Sequence, residues 1–250
     1  MRDALFTYTL RLADNALVLG HRLSEWAGRG PTLEEDIALA NMGLDLIGQA
    51  RMFYDHAGKV EGKGRDEDAL AYLRDDRHYR NVLLVEQPNG DFAMTMLRQL
   101  IYAAFAHPFM QALMQSQDAT LAGIAAKAEK EMAYHLRHSG EWIIRLGDGT
   151  PESQQRTQAA VDELMPYVNE LFETDAVERP LIDAGIAPDP AVLRADFDLT
   201  LAHVFEEALL TLPKLGHGQR GGRQGLHSEH LSRMLAEMQS LHRAHPGVVW

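Results

Sequence analysis

Cysteine is absent from the 250 residues of this chain. Its absence excludes disulfide staples, thiolate metal sites and a thiol nucleophile. It agrees with a reducing compartment, and the cytoplasm is the expected location. Long apolar runs are also missing. Nothing approaches the roughly 20 consecutive apolar residues that cross a bilayer. The opening MRDALFTYTL carries charge where a signal peptide would need an apolar core. Basic residues are in deficit: 24 Lys and Arg against 36 Asp and Glu leave a formal charge of -12. A body this acidic repels phosphate backbones, so nucleic acid is not an expected partner. There is no Gly-x-Ser-x-Gly elbow. The glycine-rich segment 214–225 lacks the Gly-Lys-Ser/Thr ending of a phosphate loop.

What is present is helical periodicity. Leu5, Tyr8, Leu12, Ala16, Leu19, Leu23 and Trp26 recur at steps of three and four. Phe6, Leu10, Ala13 and Leu17 form a second stripe, so this helix is apolar on two sides and belongs inside a bundle. Gly28-Arg29-Gly30-Pro31 ends it. Thr32 and Glu35 have capping-box spacing for a second helix reaching about Ala57. Residues 58–81 read as loops around a short helix near Asp68–Arg74. A third long helix is predicted from about Asp91 to Gln115, with a kink at Pro108, and a fourth from about Ala119 to Leu146. These are the parts of a four-helix bundle. Further helices are predicted after Thr150-Pro151, with a bend at Pro166, after Asp189-Pro190, and from about Ser228 to Ala244. Residues 175–188 read as loop. The fold class is all-α in a single domain, 1–250, with additional C-terminal helices.

A helical bundle can hold two irons if two helices each supply a carboxylate and two each supply Glu-x-x-His. The first long helix offers Asp14, the second Asp45, and the fourth Glu131, His135 and His138. The third has no Asp or Glu from Phe92 to Gln117, only His107 before its proline. Three residues after Asp45 stands Gly48, and three after Glu131 stands Tyr134. The set is short by at least one carboxylate and one histidine. No metal or cofactor is therefore assigned to this chain. Its interior carboxylates need partners if they stay charged, and Arg51, Arg98, His107 and His135 are candidates. His227, His230, His242 and His245 read as surface or packing residues. Arg220 and Arg223 in the 214–225 segment leave open contact with an anionic ligand or partner.

Several stretches resemble one family together: YTLRLADNALVLGHRLSEW, DIALANMGLDLIGQAR, NVLLVEQPNGDFA, EMAYHLRHSGEWIIRLGDGT and GLHSEHLSRMLAEMQSLHR. From about Tyr8 to Trp250 the chain resembles the structural C subunits of bacterial phenylacetyl-CoA epoxidase complexes. The resemblance implies a ferritin-like fold and a place in phenylacetate catabolism. It implies pairing with a related A subunit, which carries the diiron centre and epoxidises the ring, alongside bridging and reductase subunits. It makes Asp14, Asp45, Glu131 and His135 remnants of ligand positions rather than ligands. Isolated, such a chain could form a homodimer. Two other functions stay open: an oxygenase or oxidase with its own metal at those four residues, and a module that binds the acyl-CoA thioester.

Overall fold

The computed structural model describes residues 1–213, 218–245 and 247–248. Among the described residues are eleven α-helices, five 3₁₀ turns and no strand. Helices α1 (Arg2–Ser24) and α2 (Leu33–Glu61) form one hairpin, and α5 (Phe92–Leu113) and α6 (Ala119–Gly147) form another. Cross-helix contacts give the directions. Arg2, at the start of α1, donates to the carbonyls of Val60 and Glu61 at the end of α2. Asp45 and Gln49 of α2 face His135 and Glu131 of α6. Gln99 and His107 of α5 face His135 and Glu129. All three pairs are antiparallel, so α2 and α5 run parallel. The connection between them must return along the bundle, and this long crossover is the mark of a ferritin-like fold. It carries α3 (Glu67–Tyr72) and α4 (Leu83–Glu86).

The hairpin α1/α2 closes on two small residues. A Cβ added at Gly43 would stand 3.0 Å from Ser24 Oγ and 3.3 Å from the Gly20 carbonyl. The two backbones come this near because neither position carries a side chain. α5 is the most buried of the four, apolar almost all round, which is the pattern of a helix enclosed on every side. It continues through Pro108 to Leu113. Thr32 accepts from the Glu35 amide at 3.4 Å, but the reciprocal arm of the expected capping box is missing, because the Glu35 carboxylate lies beside His138. The complete capping box is at Thr150 and Ser153, opening α7 (Pro151–Leu164).

The C-terminal third bends at Pro166 as expected and differs from expectation in two places. α7 gives way at Met165–Tyr167 to a 3₁₀ turn around Pro166, which has no amide to continue the ladder. The expected loop 175–188 contains α8 (Arg179–Asp183). After α9 (Arg194–Glu207), the single expected last helix is broken into α10 (Glu229–Met238) and α11 (Ser240–Ala244). At the break, Gln239 is buried and donates to the carbonyls of Ala71 and Arg74 at 3.0 Å each. A tie to the crossover therefore sets the joint. No helix among the described residues is long and apolar enough to cross a membrane.

Candidate functional site

Three of the four anticipated residues meet between α2, α5 and α6. His135 is fully buried, with Nε2 3.2 Å from Asp45 Oδ2 and Nδ1 3.0 Å from the Gln99 amide. The ring thereby links α5 to α2 through α6. One turn along, Glu131 accepts from Gln49 Nε2 at 2.8 Å and lies 3.4 Å from Lys127 Nζ. The side chain of Asp45 is 36% exposed, so its carboxylate reaches solvent beside α6.

Asp14 is not part of that group. It is wholly buried and turned toward the crossover. Tyr54 donates to it at 2.5 Å, the Arg80 amide at 2.7 Å, and Arg74 through both terminal nitrogens, one of them at 3.0 Å. Burial alone would lower the Arg74 pKa, but the charge of Asp14 outweighs it and raises the value above the usual arginine range. Burial and the Asp14 charge together push the Tyr54 hydroxyl well up. Asp14 is thus a saturated counter-ion with no spare oxygen for a metal.

The partners expected for the interior carboxylates are partly different. Arg51 pairs at the surface with Glu67, and His107 pairs with Glu129, a residue not singled out in the sequence. Arg98 has no carboxylate partner among the described residues. It donates instead to the Gln87 carbonyl at 2.5 Å and to Asn89 at 2.6 Å, and burial drops its pKa to about 9. Four histidines follow one rule. His56 lies against Asp118, His107 against Glu129, His135 against Asp45 and His138 against Glu35. Each is a one-to-one tie between helices. Among the described residues no three His, Asp or Glu side chains converge as metal ligands would.

This donor set does not fit a pair of irons. Two divalent cations need about four carboxylates and two imidazoles. The centre offers Asp45, Glu131 and one imidazole, diluted by two amides and an ammonium that already occupies Glu131. The family model described as phenylacetic acid catabolic protein matches residues 1–250. The chain belongs to that family. Among its curated relatives is the C subunit of 1,2-phenylacetyl-CoA epoxidase from Escherichia coli (strain K12). The two are 50% identical over 248 residues, which cover 99% of this chain and 100% of the relative.

In this member of the phenylacetic acid catabolic family the heavier buried chemistry lies beside the bundle axis, where sequence reasoning did not look. Glu86, not singled out in the sequence, is fully buried. It accepts from Asn81 at 2.9 Å, from His227 Nδ1 at 2.7 Å and from the Ser228 amide at 2.7 Å. Burial opposes a charge on His227, but the hydrogen bond and charge of Glu86 prevail and raise its pKa. Glu170 accepts from the amides of Leu83, Gly221 and Arg223. Arg11 bridges Asp175, at 2.5 Å, and Glu178, and Glu178 also pairs with Arg223. Arg223 is therefore buried and committed, which removes it as a contact for an anionic ligand. Arg220 remains 74% exposed near Glu173. Lys214 lies outside the described residues. An acidic residue directly after the apolar run Val82–Val85 was the available sign that Glu86 is interior.

Proposed function

We propose that this chain is the non-catalytic structural subunit of a multicomponent phenylacetyl-CoA epoxidase. It pairs with a catalytic A-type paralogue, holds that chain in its active shape, and works beside bridging and reductase subunits. The diiron centre belongs to the paralogue. Full-length similarity to the C subunit of such an enzyme supports membership in the complex. The observation that carries the structural role is that the interior carboxylates already have protein partners: Asp14 is saturated by Arg74, Tyr54 and Arg80, and Glu131 accepts from Gln49 and lies 3.4 Å from Lys127. A bundle wired in this way gains rigidity rather than an open coordination site. With the other subunits it acts in the cytoplasm.

Co-expression tests the reading. With this chain, the A-type subunit should be recovered in solution, carry iron and oxidise phenylacetyl-CoA. Without it, recovery and turnover should fall at least tenfold. Equal activity in its absence would sink the structural role. Stoichiometric iron in the isolated chain, lost on Glu131→Ala, would instead support a metal enzyme.

A further inference from the structure

Helix α1 meets the C-terminal layer across a small cavity of about 40 Å³. Three polar side chains line it from two separate elements. Tyr8 and Arg11 belong to α1, and Glu178 stands directly before α8. All three are more than nine-tenths buried: Tyr8 is 2% exposed, Arg11 5% and Glu178 7%. Each carries one atom without a protein partner among the described residues, namely the Tyr8 hydroxyl, Arg11 Nε and Glu178 Oε2. Their neighbouring atoms are committed elsewhere. The two terminal nitrogens of Arg11 take the two oxygens of Asp175. Glu178 Oε1 takes Arg11 and Arg223.

Buried polar atoms of native proteins are satisfied with few exceptions, by protein or by ordered water. Arg11 Nε can only donate and Glu178 Oε2 can only accept. Burial and the charge of Glu178 push the Tyr8 hydroxyl well above its ordinary pKa, so it keeps its proton. Two donors and one acceptor therefore share the cavity, and their common partner must both accept and donate. Charge narrows the choice. A cation would meet the guanidinium groups of Arg11 and Arg223, and an anion the carboxylates of Glu178 and Glu170, all of which line the same space. Size narrows it further. A cavity admits a water once it offers about 10–15 Å³, so this one takes a few waters and excludes an aromatic ring or an acyl chain.

We propose that this cavity is a built hydration site, in which one ordered water accepts from Arg11 Nε and the Tyr8 hydroxyl and donates to Glu178 Oε2. Three partners are the usual number for a buried water. The bridge ties α1 to the start of α8 and, through Glu178, to Arg223 in the C-terminal segment. It is independent of the subunit reading above.

Crystals of the full-length chain test this. In a map that resolves ordered waters, a single peak should stand about 2.7–3.2 Å from all three atoms. In solution, magnetic relaxation dispersion of water oxygen should detect a slowly exchanging water that Tyr8→Phe lacks. Tyr102→Phe, at a buried tyrosine that does not line the cavity, should keep it. A Tyr8 hydroxyl that donates directly to Glu178, with no peak between them, would overturn the proposal. So would a peak that bromide or rubidium replaces in soaked crystals, since the occupant would then be an ion. A Tyr8→Phe chain that retains the slow water would remove the hydroxyl as a partner and the bridge with it. If that variant does not fold, the parent crystals decide alone.

Discussion

At the scale of single residues, the interior separates charges with a counter-ion from one without. Removing the Asp14 carboxylate by Asp14→Ala strands the buried Arg74 guanidinium. Loss of one partner from such a pair costs about 3–5 kcal/mol, which urea denaturation will read. Arg98 has no carboxylate to strand, so Arg98→Met should cost less than half as much as Arg74→Met in the same assay. The His227–Glu86 pair sets a pH dependence. Its histidine has a raised pKa in the fold, so its contribution is fully present below the unfolded value near 6.5 and is lost as pH climbs through the folded value. The stability gap between the parent and His227→Gln should therefore be widest near pH 6 and narrow on the alkaline side. At the acid end, the hydrogen bonds and charge of Arg11 overcome burial and hold Asp175 down to about 2. Its contribution is intact above pH 4 and fades toward pH 2. Asp14 was legible as an interior acid because its helical neighbours are apolar. Its partners were not, since Arg74 and Arg80 lie 60 and 66 residues away on the crossover.

At the scale of elements, turn and cap chemistry is local and so reads directly from sequence. Thr150 caps α7 through a two-way exchange with Ser153, and Thr150→Ala should cost about 1 kcal/mol by thermal or urea unfolding. The α1/α2 crossing is a tertiary demand on two local residues. Gly43→Val would drive a branched side chain against Ser24 and the Gly20 carbonyl, and overpacking of this kind costs about 1–3 kcal/mol. The helix pattern over 228–244 was correctly read as helical and wrongly read as continuous. Nothing near Gln239 in the sequence breaks a helix. Its amide is held by carbonyls of the distant crossover, so Gln239→Ala should raise hydrogen exchange in α10 and α11 while sparing the bundle helices.

At the scale of the whole molecule, a chain whose interior carboxylates already have protein partners should gain little from metal. A ligand stabilises only through binding to the native state, and ferrous iron should leave the thermal midpoint of the isolated chain within about 1 °C. Stability should respond instead to the ties between crossover, α1 and C-terminal segment. What the sequence by itself determined was the all-helical class and the four long bundle helices. Periodicity, caps and residue counts express interactions within a few residues of one another, and these are carried along the chain. Only the tertiary structure decided which carboxylate meets which cation. It moved Asp14 out of the central group, hid Glu86, Glu170 and Arg223, and left Leu33, Ile37 and Leu44 outside. Burial of a charge is settled by elements that arrive from 60 to 141 residues away, and no local pattern encodes that arrival.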